Sequence, residues 1–216
     1  MDFNILEVIW NRSKCEIPRN TDKKTLYKKV QDMRKLLGIE LDDYPINIFE
    51  ILQRLKDIID ISYENLSLKL GGILIINEQP YKSAMLINSK RNKTFSAAHE
   101  LVHYLGHSEN DTYLHLQGNS EFIEWQANEG AAEFLLPYKL FIPDFYNLSK
   151  RTFWTDEIIQ ILAEQYNVST GQVATRIKSL EYEIKQYFAG VDIDKVVIMS
   201  KRKYEQELIY GKELRF

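Results

Sequence analysis

Five residues, His99-Glu100-Leu101-Val102-His103, narrow the folds open to this chain more than any other stretch. Side chains four apart lie on one face of an α-helix, so both imidazoles can reach one metal ion, with Glu100 one step round from them. Zinc suits neutral imidazole, and a catalytic zinc site takes three protein ligands and leaves a fourth position open. Leu101, Val102 and Leu105 give the helix an apolar side, so it is expected to sit in a core. All four histidines fall between positions 99 and 115. A carboxylate beside such an ion can take the proton of a water and generate a nucleophile for a peptide carbonyl.

Two carboxylates compete for the third ligand position. Glu109 follows His103 and Gly106 at the spacing of the metzincin class, whose third ligand there is usually histidine. Glu124 lies on a later helix, where Glu124, Asn128, Ala131 and Leu135 recur at helical spacing. In that arrangement Glu124 ligates the metal. Asn128 bonds the far nitrogen of a ligand histidine, and Ala131 lets the helices approach. The reading favours Glu124, with Glu121 on the same face as a lesser alternative. Glu129 and Glu133 point elsewhere and are read as exposed or salt-bridged.

Periodicity and capping residues organise the remainder. Thr25 to Leu37 reads as a helix ended by Gly38, and Asn47 with Glu50 has the spacing of a capping box. Residues 73–77 and 84–88 read as strands, with Gln79-Pro80-Tyr81 as the turn between them. Helices follow over Thr94–Leu105, Glu121–Leu136 (stopped by Pro137) and Thr155–Tyr166. A last one runs from Ser169 to about Phe188, boxed by Ser169 and Gln172. Residues 196–200, VVIMS, suggest a strand in the tail. With 44% hydrophobic residues in 216, the chain can bury a substantial core. A net charge of −3 argues against a dedicated nucleic-acid binder. The single cysteine, Cys15, fits a reducing compartment. The N-terminal stretch lacks the pattern of a signal peptide, and no run reaches the roughly 20 apolar residues of a membrane span. A cytoplasmic location is the expectation.

The blocks TFSAAHELVHYLGH (residues 94–107) and EWQANEGAAEFLLP (residues 124–137) resemble the ImmA/IrrE family of metallopeptidases, a gluzincin-like group. The likeness covers roughly residues 25–180. It implies Zn2+ held by His99, His103 and Glu124, with Glu100 as catalytic acid/base. Asn128 and Pro137 match the family's Asn and terminal Pro. Two positions depart from its pattern: Val102 stands where Gly is usual, and Gly130 where Phe is usual. For the donor that steadies a developing oxyanion, His107, His115, Tyr104 and Tyr113 are near in sequence. His107 occupies a frequent family position and is taken as the catalytic candidate.

The fold expected is α+β. A zinc-peptidase core with N-terminal helices, an active-site helix, a second ligand-bearing helix and a small β-sheet fills residues 1–150. A helical pair resembling a helix-turn-helix spans 151–190, and a strand-like tail 191–216. Gln172, Thr175, Arg176 and Lys178 are a thin supply for reading DNA, so the pair is expected to pack on the core and nucleic-acid binding is not expected. The function implied is a zinc endopeptidase whose partner is a protein substrate, a helix-turn-helix repressor of a mobile element or stress response. The competing reading is a regulatory protein that keeps the zinc framework and binds a repressor or DNA without cutting. The strand at Ala84 to Asn88 is the candidate edge for an extended peptide.

Overall fold

The computed structural model describes residues 4–18, 20–67, 71–77, 81–107, 120–151 and 155–199. Helix α1 (Ile5–Asn11) leads through a 3-10 turn (Arg12–Cys15) to α2 (Lys23–Leu36). The Asp22 carboxylate opens α2 by accepting from the Thr25 N–H at 2.8 Å, and Leu26, Tyr27, Val30 and Met33 bury one face. The chain leaves that helix through Gly38, whose φ of 66° is the left-handed value a glycine adopts without strain. Helix α3 (Ile48–Arg54) follows, opened by the Asn47 side chain as its sequence suggests.

Strands β1 (Ile59–Glu64), β2 (Gly72–Ile75) and β3 (Ser83–Asn88) form one mixed sheet in the order β1-β3-β2. The central β3 runs parallel to β1, with Ile61 opposite Met85, and antiparallel to β2, with Leu74 opposite Met85. Both edges of β3 are therefore used. The expected peptide-binding edge at Ala84–Asn88 is corrected on this ground: among the described residues, the edge strand beside the cleft is β2. β1 was not anticipated, although Ile59, Ile61 and Tyr63 alternate with Asp60, Ser62 and Glu64 as in a half-buried strand.

Helices α4 (Lys93–Gly106) and α5 (Ser120–Leu135) pack together, and α2 lies against α5. Beyond them come α6 (Tyr138–Ser149), α7 (Thr155–Tyr166), α8 (Thr170–Ser179) and α9 (Glu181–Phe188). The chain is α+β, with nine α-helices and three strands among the described residues. None of these helices is long and apolar enough to cross a membrane. The turn between α7 and α8 passes through Asn167 at φ 52°, a conformation asparagine tolerates. The Ser169–Gln172 capping box is complete. The expected helix from Ser169 to Phe188 is two helices, because Leu180 (φ −100°, ψ 13°) leaves helical geometry.

The strand-like tail also needs correction. Its described part, residues 191–199, contains a 3-10 turn (Ile193–Lys195) and no strand. Side chains of α9 take its backbone groups instead. Gln186 bonds the Val197 N–H and carbonyl at 3.0 and 2.9 Å, and Glu183 accepts from the Met199 N–H at 2.9 Å. The remaining tail residues, 200–216, lie outside the described residues.

Two buried cations tie α8 and α9 to the core. Arg176, on the helix that in a helix-turn-helix would face DNA, is fully buried. It donates to the Leu136 carbonyl (3.0 Å), Tyr27 Oη (2.7 Å), Glu129 (3.0 Å) and Glu133. Glu133 also accepts the Tyr138 N–H at 3.1 Å, capping α6. Lys23, at the start of α2, reaches the Ser179 carbonyl (2.5 Å) and Glu183 (3.0 Å). Neither Glu129 nor Glu133 is a solvated charge; both are paired, and Glu133 is buried.

Removing one member of a buried ion pair strands its partner's charge in the interior. Arg176→Met is expected to lower the unfolding free energy by about 3–5 kcal/mol in urea titrations. Lys82→Ala, at the exposed Lys82–Asp60 pair of 3.3 Å, should change it by less than about 1 kcal/mol. Equal effects would mean that Arg176 does not anchor the helical pair.

Candidate metal centre

Asn92 starts α4 by accepting from the Phe95 N–H at 3.1 Å, and that start fixes which residues face inward. Ala98, Leu101, Val102 and Leu105 are buried, while His99 and His103 stand together on the side towards α5. Their rings meet edge to face with centroids 4.7 Å apart, and the two Nε2 atoms are 3.1 Å apart. Glu124 reaches across from α5, placing Oε2 3.5 Å from His99 Nε2 and Oε1 3.2 Å from His103 Nε2. One donor atom from each residue lies within 4.8 Å of the others. Ligands about 2.0–2.1 Å from a tetrahedral ion stand about 3.3 Å from each other, so these spacings fit a zinc-sized ion. The imidazoles are 12% exposed and Glu124 34%, so the group opens to solvent on the carboxylate side. Glu121 is exposed on the preceding turn. Glu109, Tyr113 and His115 lie outside the described residues.

Glu100 is 5% exposed and packs beside β2. Burial, reinforced by the nearby Glu124 charge, pushes its carboxyl up to about 8. A side chain at Gly72 would place its Cβ 2.7 Å from Glu100 Oε1 and 2.8 Å from the Leu86 carbonyl. Only glycine lets the strand lie this close to the carboxyl. Gly72 was not anticipated, although a glycine pair at the start of an apolar run is a recognisable mark of close approach.

His107 and Asn128 stand in different surroundings. His107 is 3% exposed. Its Nδ1 lies 2.9 Å from His103 Nδ1, and its Nε2 lies 3.0 Å from Gln126 Oε1. Both ring nitrogens are engaged by protein. The partner of the far nitrogen of His103 is thus His107, and Asn128 is exposed on the cleft wall. Tyr104 is buried beneath the Arg12 guanidinium, 4.6 Å from its ring centroid.

The cleft above these groups encloses about 1100 Å³. Ile73 and Ile75 of β2 form one wall, Phe95 and Trp125 line the middle, and Gln172 and Thr175 of α8 form the other. Asn92 Nδ2 donates to Gln172 Oε1 at 3.3 Å, linking the start of α4 to α8.

The two departures from the family pattern touch each other. A Cβ built on Gly130 would lie 2.9 Å from Val102 Cγ1 and 3.5 Å from Val30 Cγ2. The valine fills the space that the glycine leaves, so the helices keep their separation. Gly130→Ala is expected to cost about 1–3 kcal/mol. In a thermodynamic cycle with Val102→Ala, the double variant should recover at least about 0.5 kcal/mol relative to the sum. Strict additivity would dissociate the two positions.

A solved Mycobacterium tuberculosis transcriptional regulator superposes on this chain with a TM-score of 0.50 at 16% identity, over 82% of this chain and 52% of its own. The chain spans about half the length of that protein, and at this identity the likeness concerns the fold. No curated protein matches the chain. The family model Peptidase_M78, the IrrE N-terminal-like domain, matches residues 58–178. That stretch is more than half of the chain and takes in the sheet, both histidines on α4, Glu124 on α5 and nearly all of α8. The chain belongs to the peptidase family defined by the IrrE N-terminal-like domain.

Proposed function

We propose that this protein is a zinc-dependent endopeptidase, with His99, His103 and Glu124 as ligands and Glu100 as general base. The observation that carries the reading is the meeting of two imidazole nitrogens and a carboxylate within 4.8 Å, on a cleft flanked by an edge strand. Two neutral imidazoles and one carboxylate are a donor set that suits zinc. When bound, such an ion supplies Lewis acidity to a water and to the scissile carbonyl. Glu100 takes a proton from the attacking water onto its carboxylate and returns it to the departing amine. Gly72 keeps that carboxylate in place.

An extended peptide fits the outer edge of β2, where backbone groups pair and alternate side chains enter the cleft. The substrate in this reading is a protein, and specifically a helix-turn-helix repressor of a mobile element or stress response, as the family resemblance implies. Burial of Arg176 supports a protein substrate over DNA, because the one arginine of α8 is spent inside the fold. A cytoplasmic site of action belongs to the same proposal, with Cys15 a buried free thiol.

Glu100→Gln is expected to keep zinc and thermal stability while cleavage of a co-encoded repressor falls by at least about 100-fold. Gly72→Ala should retain zinc and lower kcat, because its methyl group displaces Glu100. Glu124→Ala should release the metal, measured by elemental analysis after dialysis. Cleavage by zinc-loaded Glu100→Gln at the wild-type rate would remove Glu100 as the base. Intact repressor relief by that variant in cells, without cleavage, would favour the regulator that binds without cutting.

A further inference from the structure

A chain of hydrogen bonds runs from a proposed ligand to the N-terminal segment. His103 Nδ1 faces His107 Nδ1 at 2.9 Å, His107 Nε2 faces Gln126 Oε1 at 3.0 Å, and Gln126 Nε2 donates to the Pro18 carbonyl at 2.9 Å. The direction of each bond follows from the last. A backbone carbonyl only accepts, so Gln126 must turn its NH2 towards Pro18 and its oxygen towards His107. His107 then carries its hydrogen on Nε2, which leaves Nδ1 of the neutral ring bare. That bare nitrogen takes the hydrogen of His103 Nδ1. The remaining nitrogen of His103, Nε2, is left with its lone pair directed at His99 and Glu124.

We propose that His107 and Gln126 are positioning residues that select the metal-binding tautomer of His103 before any ion arrives, an inference that rests on His103 being a ligand. The network is built into the interior. Gln126 is 1% exposed, and the backbone around His107 is held as well. Arg12 donates to the His107 carbonyl at 3.0 Å, and the Ile17 N–H donates to the Gly106 carbonyl at 2.8 Å. Residues 12–18 thus close over the end of α4 and supply the fixed acceptor from which the order of hydrogens follows. An imidazole ligand steadied through its other nitrogen binds metal more tightly, because neither its tautomer nor its ring angle has to be chosen on binding.

The test is zinc affinity, by competition with a chromophoric chelator, for the full chain and three variants. His107→Phe and Gln126→Leu keep the volume and lose the bonds, and are expected to weaken zinc binding about 10–100-fold. His107→Asn puts a carbonyl oxygen close to where Nδ1 stood, so it can still accept from His103 and should stay close to wild type. Long-range proton–nitrogen NMR of the metal-free wild type reads the tautomers without substitution, with the hydrogen expected on Nε2 of His107 and Nδ1 of His103. Zinc binding by the wild type with unchanged affinity in His107→Phe and Gln126→Leu overturns the inference and leaves the ligand assignment standing. A hydrogen on Nδ1 of His107 overturns it too. Failure of the wild type to bind zinc removes the ligand assignment itself.

Discussion

Two helix backbones must come close enough for one glutamate to span a pair of imidazoles. The spacing of His99 and His103 is set by helical geometry, so the approach of α5 is the remaining variable. Small residues decide it. Ala127 and Ala131 are fully buried, and Gly130 lies against Val102 with no room for a methyl group. A bulkier contact would push α5 outward and carry Glu124 away from both nitrogens. Bulk at Val102 is matched by its absence at Gly130, so the two positions pack as a pair and a change at one is felt at the other.

Helix α5 carries polar residues in several directions, and each meets a different part of the molecule. Glu124 faces the imidazoles, Gln126 the N-terminal segment, and Glu129 and Glu133 the guanidinium of α8. Buried polar groups of this kind are tolerated only when paired, and unpaired they cost more than the bonds contribute when made. The helix is consequently fixed in rotation as well as in distance. A slide or turn that improved one set of contacts would break the others.

Local chemistry explains what could be read in advance. Histidines four apart on a helix, a glutamate–alanine face on a second one, and capping residues at Asn47 and Ser169 are all short-range patterns, and the fold contains them. The grouping of His99, His103 and Glu124 was legible for that reason. Other features depend on partners distant in the chain. β1 carries the alternation of a half-buried strand, but its place beside β3 is set by pairing along its length. Helix α6 tolerates Pro143 within it, a residue that argues for a loop when met in sequence. The roles of Gly72 and Gln126 arise from contacts with Glu100 and Pro18, and no spacing rule connects those pairs. His107 stands one helical turn past His103, but its second contact, with Gln126, comes from another helix. The sheet edge was misplaced by the same limitation, since strand order is a property of the assembled sheet.

The bonds that complete the cleft close very long loops. Gln126 meets Pro18 across 108 positions, Arg12 meets the His107 carbonyl across 95, and Arg176 meets Tyr27 across 149. Contacts of this separation form late, because the chain entropy lost in closing such loops is recovered only when the surrounding core is in place. During synthesis α4 emerges with both histidines well before α8 supplies the guanidinium that neutralises Glu129 and Glu133. An incomplete chain therefore holds two uncompensated carboxylates in the helix that must present Glu124. Assembly of the candidate site is in this way tied to completion of the fold, because the contacts that hold α5 come from segments far apart in the chain.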